Sequence, residues 1–110
     1  MKVVNRIKKN QDFALTINKG QAFRYPSYLI YVKQNELGYT RVGISASKKL
    51  GNAVTRNRVK RQTRAIVDSL VDYNKYALDI VIILKLKFLE KDFDDNKSQF
   101  CDFMKTQVGL

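Results

Sequence analysis

The residues best suited to chemistry in this sequence are seven cations that lie close together in the middle of the chain. The seven are Lys48, Lys49, Arg56, Arg58, Lys60, Arg61 and Arg64. On a helix, Arg56, Lys60 and Arg64 fall one turn apart and form a single stripe. Arginine offers a planar fork of donors that matches phosphate oxygens, whereas lysine contributes a point charge. The stretch therefore predicts a surface for a polyanion, and nucleic acid is the first candidate.

The charged residues are unevenly distributed along the chain. The 110 residues carry a formal net charge of +11 at pH 7. Residues 1–67 hold 15 Lys and Arg but only two acids, and no acid occurs between Leu37 and Val67. A merely solvated basic helix face is the alternative, because runs of like charge are usually surface. The lack of any acid over these 31 residues favours binding over simple solvation.

The residues needed for a conventional protein active site are scarce. The sequence has no histidine and one cysteine, Cys101, so a Cys–His nucleophile and a Cys/His zinc site are both excluded. The acids that could hold a divalent ion are Asp92, Asp94, Asp95 and Asp102. We expect them to cap and solvate the last helix. A metal-dependent nuclease site on the protein itself is the disfavoured alternative, and no catalytic side chain is expected.

Features of an exported or membrane-bound protein are not evident. Cys101 has no partner for an intrachain disulfide, and the first ten residues are basic with no apolar run behind them. The longest apolar run, Ile80–Leu84, is far too short to span a bilayer. The fold needs the apolar face of the basic helix, which disfavours binding at a membrane surface. We expect a reduced, cytoplasmic protein without a membrane partner.

Helices and strands must position the basic stretch, and the sequence predicts the first of them from local patterns. Asn10 and Gly20 bracket a helix over 11–19, as an N-cap and a C-terminal stop. Two runs rich in β-branched and aromatic residues follow at 28–33 and 39–47. These runs are expected to form strands, the second of them half-buried.

Five of the seven cations fall on the longest predicted helix, over about 52–73, and Lys48 and Lys49 stand just before it. Its core face is expected to contain Val59, Thr63, Ile66, Val67 and Leu70. The run 76–84 is apolar apart from Asp79 and suits a central strand buried on both faces. A last amphipathic helix is expected to bury Phe93, Phe100, Phe103, Met104 and Val108. The order predicts one α+β domain, with a single sheet packed with helices and parallel strands in the unit 40–84. General rules favour a right-handed crossover in that unit.

The basic stretch also resembles a family signature. Residues 48–61 begin Lys48-Lys49-Leu50-Gly51 and contain Arg56-Asn57-Arg58, which is similar to the signature of the bacterial ribonuclease P protein family. Residues 6–13, 41–45 and 79–83 resemble the flanking segments of that family. The resemblance runs from about residue 5 to residue 90, which is most of the chain.

The resemblance implies a fold, a function and RNA partners. The family fold has the order α-β-β-β-α-β-α, similar to a domain of some ribosomal proteins, with an unusual left-handed βαβ crossover. The chain, residues 1–110, would be a single RNA-binding domain. It would be the protein subunit of an endoribonuclease that removes the 5′ leader from precursor tRNA. In this family the RNA subunit with bound Mg²⁺ is the catalyst. The expected partners are therefore that catalytic RNA, in a 1:1 ratio, and precursor tRNA.

The resemblance also assigns residues to two binding regions. Those expected to contact RNA are Lys48, Lys49, Asn52, Arg56, Asn57, Arg58, Lys60, Arg61 and Arg64. A cleft for the 5′ leader is expected between the first helix and the sheet, with Phe13 and Tyr31 as its aromatic residues. Ile17 stands where many members have a second aromatic residue, so it cannot stack on a base there. The alternative for Phe13 and Tyr31 is an ordinary place in the core.

A ribosomal or rRNA-assembly protein with no role in cleavage is the second interpretation of the sequence. The composition and the basic helix fit it equally well, and the signature argues against it. We therefore expect a ribonuclease P subunit.

Overall fold

The protein folds as helices packed on both faces of one sheet, in a computed structural model that describes residues 1–109. The elements are α1 (Asn10–Lys19), β1 (Gln21–Arg24), β2 (Tyr28–Gln34), β3 (Arg41–Ser45), α2 (Ala53–Leu70), β4 (Leu78–Leu84), α3 (Lys87–Glu90) and α4 (Phe93–Phe103). Short 3₁₀ turns at Val3–Asn5 and Lys48–Leu50 precede α1 and α2, and a π-helical turn at Met104–Val108 continues α4. The α+β class and the element order are confirmed, with α3 as an additional single turn.

The sheet has the strand order β1-β2-β4-β3. Strand β4 pairs antiparallel with β2 and parallel with β3, where Arg41 lies opposite Asp79 and Ser45 opposite Ile83. The predicted parallel pairing and the central position of the last strand are therefore confirmed. The left-handed crossover stays a prediction from the resemblance. No helix within residues 1–109 combines the length and apolarity needed to cross a membrane.

The main core lies between one face of the sheet and helices α2 and α4. The sheet contributes Tyr28, Ile30, Val42, Ile80, Ile82 and Leu84, and α2 contributes Val59, Ile66 and Val67. The predicted core face of α2 is confirmed, although Leu70 is only half-buried. In α4, Phe100, Phe103 and Met104 are buried as predicted and Val108 is half-buried. The prediction for Phe93 is wrong, because its side chain remains 43% exposed.

Helix α1 covers part of the opposite face of the sheet. It begins at Asn10 itself, and Lys9 occupies the N-cap position, so the predicted Asn10 N-cap is wrong. Gly20 follows α1 with an ordinary φ of −81°. A β-carbon on Gly20 would lie 2.4 Å from the Thr16 carbonyl oxygen and 2.8 Å from that of Val32. Glycine is therefore required there by close packing rather than by a left-handed backbone.

Two of the strands and the long helix are shorter than predicted because loop residues make other hydrogen bonds. The side chain of Asn52 caps α2, and the helix ends at Leu70 instead of continuing to residue 73. The Thr40 backbone N–H donates to the Tyr73 carbonyl and its hydroxyl donates to the Tyr76 carbonyl, both at 2.8 Å. These bonds hold the loop before β4, so β3 and β4 each begin two residues later than the patterns predict.

Candidate RNA-binding surface

The start of α2 is built by three local features. Leu50 is buried, which anchors the 3₁₀ turn that carries Lys48 and Lys49. Gly51 adopts φ +135°, a conformation that residues with a β-carbon rarely adopt. The Asn52 side-chain oxygen then accepts from the Thr55 backbone N–H at 2.9 Å. The two lysines are thereby exposed directly in front of the positive end of the helix dipole.

The nine residues predicted to contact RNA all lie on α2 or on the segment that leads into it, and we call them the basic face. The exposed members are Lys48, Lys49, Asn52, Asn57, Arg58 and Arg61, and the half-buried ones are Arg56, Lys60 and Arg64. No carboxylate of residues 1–109 lies within 4.0 Å of any of its lysines or arginines. The Nε of Arg56 is shielded from solvent and has no hydrogen-bond acceptor among residues 1–109. The basic face is therefore a dense, unpaired set of donors.

The basic face has two flanks that lead to different parts of the molecule. On one flank, Arg64 shares a small pocket of about 130 Å³ with Arg6 and Phe13. On the other flank, Arg58 shares a pocket of about 280 Å³ with Leu89 and Phe93. The basic helix thus separates the α1 side of the molecule from the α3–α4 side.

The residues predicted to line the leader cleft are brought together on the face of the sheet that α1 partly covers. Phe13 lies against Gly43 of β3, where a β-carbon would come within 2.5 Å of the ring. Ile17 follows one turn later on α1, and Tyr31 lies in the middle of β2. All three are half-buried, and none belongs to the main core. The geometry is therefore compatible with a cleft that has partly open aromatic walls.

An ion-pair network centred on Arg41 joins α1 to the sheet beside this cleft. Arg41 donates to both carboxylate oxygens of Asp79, at 2.7 and 3.0 Å, and to Asp12 of α1 at 3.3 Å. Asn35 donates to Asp79 at 2.9 Å. Burial alone raises the pKa of the Asp79 carboxyl, but the hydrogen bonds from Arg41 and Asn35 and the charge of Arg41 outweigh burial and lower that pKa. The bond to Asp79 correspondingly raises the pKa of Arg41.

The sequence interpretation missed this ion pair. Arg41 contributes to the basic excess of residues 1–67, although the structure pairs it with two carboxylates. The available signal was Asp79, an acid inside an otherwise apolar strand, because a buried carboxylate requires a partner. Arg41 is therefore part of the scaffold rather than of the unpaired basic face.

The acids considered as a metal site have structural positions. Asp92 accepts from the Asp95 backbone N–H at 2.8 Å and caps α4, while Asp94 and Asp95 lie in its first turn. No group of three His, Cys, Asp or Glu side chains within residues 1–109 is close enough to hold a metal ion. Capping of the last helix, as expected from the sequence, is therefore confirmed for Asp92.

Comparison with known proteins decides the family. The sequence model of the family described as Ribonuclease P matches residues 1–107. The chain belongs to the ribonuclease P protein family. The ribonuclease P protein component of Mesoplasma florum is 42% identical over 100 residues, which cover 90% of this chain and 91% of the relative. That of Listeria innocua is 36% identical over 106 residues, which cover 96% and 89%.

Solved ribonuclease P proteins share the fold. A structure of the Staphylococcus aureus protein aligns with a TM-score of 0.84 at 32% identity, covering 96% of this chain and 98% of that one. A structure of the Thermotoga maritima protein aligns with a TM-score of 0.78 at 25% identity, covering 91% and 94%. The chain is thus a ribonuclease P protein component with a part in RNA cleavage during tRNA processing, as its signature predicted. The comparisons do not favour the ribosomal alternative.

Proposed function

We propose that this ribonuclease P protein binds the catalytic RNA through the basic face and holds the 5′ leader of precursor tRNA in the cleft of Phe13, Ile17 and Tyr31. The single observation that carries the proposal is the basic face itself, which has no carboxylate within 4.0 Å among the described residues. Like charges one turn apart repel. Phosphates would offset this repulsion and would release counterions on binding.

The leader assignment rests on the flank of α2 that faces α1. A single strand needs aromatic faces in a cationic groove, because stacking tolerates any base sequence. Phe13 and Tyr31 supply half-buried rings, and Arg6 and Arg64 lie beside Phe13. Ile17 supplies apolar contact without stacking. The leader would thus run along α1, next to the RNA held on α2.

Bond cleavage belongs, in this proposal, to the RNA subunit. The chain has no histidine and one cysteine, so its own side chains offer few acid–base groups. Magnesium bound by the RNA would supply charge stabilisation and an activated water for hydrolysis of the phosphodiester. The protein residues would bind and orient the two RNAs, with one protein per catalytic RNA, in the cytoplasm.

Reconstitution with a bacterial ribonuclease P RNA at low magnesium tests the proposal. The substrates are precursor tRNAs with and without a 5′ leader extension. We expect the protein to restore cleavage and to tighten binding of the leader-bearing substrate alone. If it binds the catalytic RNA but changes neither cleavage nor substrate affinity, the cleft assignment is wrong and the basic face is a general RNA clamp.

The basic face has its own test in the salt dependence of RNA affinity. Arg61→Ala should weaken binding of the catalytic RNA and reduce the slope of log K against log salt by about one unit, because one phosphate contact is lost. Lys105→Ala removes one exposed charge from the region after α4 and serves as the matched control. An unchanged slope in Arg61→Ala would refute the phosphate assignment.

A further inference from the structure

Phe93 is an aromatic ring that the fold does not bury. It is the first residue of α4, directly after the Asp92 cap, and 43% of it is exposed. Every other Phe and Tyr within residues 1–109 is buried or half-buried. Large aromatic side chains normally contribute much of a core, so an exposed ring at a polar helix start is available for a partner.

The ring borders a pocket that opens onto the basic face. Arg58 and Gln62 of α2 form one side of this pocket, and Leu89, Lys91 and Phe93 form the other. The volume of about 280 Å³ lies just below the ~300 Å³ at which pockets for drug-sized ligands begin. The pocket therefore suits one planar ring system rather than a helix or a folded segment.

We propose that this pocket receives one unpaired nucleobase of the catalytic RNA, stacked on Phe93, with Arg58 and Lys91 contacting the adjoining phosphates. The inference deepens the proposed function and rests on it, because it requires the catalytic RNA on α2. Unstacked bases of bulges and loops are the parts of folded RNA that proteins bind by stacking on aromatic rings. Leu89, 40% exposed, extends the apolar surface beside the ring.

Charge selects RNA over other occupants of the pocket. A second copy of this chain would bring another net charge of +11 against the first, which opposes association. Asp92 is the one acid of the pocket, and its carboxylate is engaged with the Asp95 backbone N–H at 2.8 Å. The 5′ leader is assigned to the other flank of α2, beside Phe13. The catalytic RNA is therefore the partner that we expect on the flank with Phe93.

Substitutions at Phe93 test the stacking directly. Phe93→Ala and Phe93→Leu should each weaken binding of the catalytic RNA by about 5- to 100-fold, because either change removes a stacked ring. The salt slope and the preference for leader-bearing substrate should stay at their wild-type values. Leu86→Ala is the matched control, since it removes a 57% exposed apolar side chain outside the pocket and should bind RNA normally.

A fluorescent variant gives an independent readout. The chain has no tryptophan, so Phe93→Trp introduces a single indole. We expect this variant to keep wild-type affinity and its emission to be quenched as catalytic RNA is added, with saturation at one equivalent. Circular dichroism should show that all Phe93 variants fold, because the ring is largely outside the core.

Three outcomes would overturn the inference. Wild-type affinity in Phe93→Ala, with no quenching in Phe93→Trp, would show that no base stacks there. Weak binding in Phe93→Ala alone, with full affinity in Phe93→Leu, would indicate simple apolar contact. Self-association in sedimentation that Phe93→Ala abolishes would assign the pocket to a second copy. If Arg61→Ala still weakens binding in these cases, the inference fails while the proposed function stands.

Discussion

Arg41 and Arg61 have the same side chain in opposite settings. Arg41 is 19% exposed and lies 2.7 Å from Asp79 and 3.3 Å from Asp12. Arg61 is exposed and has no carboxylate of residues 1–109 within 4.0 Å. A buried pair holds its geometry, whereas an exposed, unpaired guanidinium is free to bind phosphate. At the scale of residues, pairing rather than residue type therefore separates scaffold cations from candidate RNA contacts.

The position of Phe13 depends on the missing side chain of Gly43. We expect Gly43→Ala to displace the ring, because the added β-carbon would lie 2.5 Å from it, and to cost about 1–3 kcal/mol of stability through overpacking. The preference for leader-bearing substrate should fall, because Phe13 belongs to the proposed leader cleft, while affinity for the catalytic RNA is retained. Substrate binding with and without a leader, together with urea unfolding, measures both effects.

A control substitution elsewhere on α1 separates an effect on leader binding from a general loss of stability. Leu15→Ala changes an exposed residue of α1 and should leave leader preference intact. A Gly43→Ala protein with wild-type leader preference would show that leader binding does not depend on the packing of Phe13 against Gly43.

At the scale of elements, α1 lies outside the main core and is held to the sheet by polar contacts and by the packing of Phe13 against Gly43. The Asp12–Arg41–Asp79 ion pairs join it to β3 and β4, and Gly20 allows its end to approach β2. The wall of the proposed cleft thus depends in part on a charged contact whose strength varies with pH.

Asp79→Asn should lower the free energy of unfolding by about 3 kcal/mol at pH 7, because it breaks a pair in which the carboxylate side chain is only 3% exposed. The pKa of Asp79 is lowered in the folded state. Its stabilisation is therefore fully present above the unfolded pKa of ~3.9 and is lost as pH falls through the lower folded value. Urea unfolding of both proteins between pH 7 and pH 2.5 should show the difference shrinking below about pH 4.

Asp102→Asn, at an exposed position of α4, is the control and should unfold like the wild type at each pH. A difference between Asp79→Asn and wild type that stays constant down to pH 2.5 would contradict the role of the carboxylate charge.

At the scale of the whole molecule, the uneven distribution of charge favours RNA binding but lowers the stability of the free protein. The net charge of +11 is concentrated in residues 1–67, and the basic face lacks carboxylate partners within residues 1–109. Self-repulsion of this kind destabilises the compact free protein, and a polyanion relieves it. The free protein should therefore be less stable than a chain with fewer cations on α2.

Lys60→Gln should raise the free energy of unfolding of the free protein by about 0.5 kcal/mol at low salt, because Lys60 lies one turn from both Arg56 and Arg64. The same substitution should weaken RNA binding. Salt should reduce the stability gain, since it screens the repulsion. Lys97→Gln on α4 has no Lys or Arg one turn away and should bring no gain. Equal stability of Lys60→Gln and wild type at low salt would contradict the repulsion.

The sequence by itself determined the features that depend on neighbours along the chain. The apolar spacing of Val59, Ile66 and Val67 predicted α2, and the signature on that helix predicted the family. Contacts one helical turn apart or alternating along a strand are visible in a local pattern. The apolar run at 76–84 likewise predicted the buried strand β4.

Only the tertiary structure decided the features that join distant residues. Arg41 and Asp79 are 38 positions apart, and nothing local shows that one neutralises the other. The exposure of Phe93 was likewise invisible, because an apolar ring at helical spacing looks the same whether or not a partner element covers it. Burial and pairing are properties of the packed chain, so the division between scaffold and exposed binding residues depended on the fold.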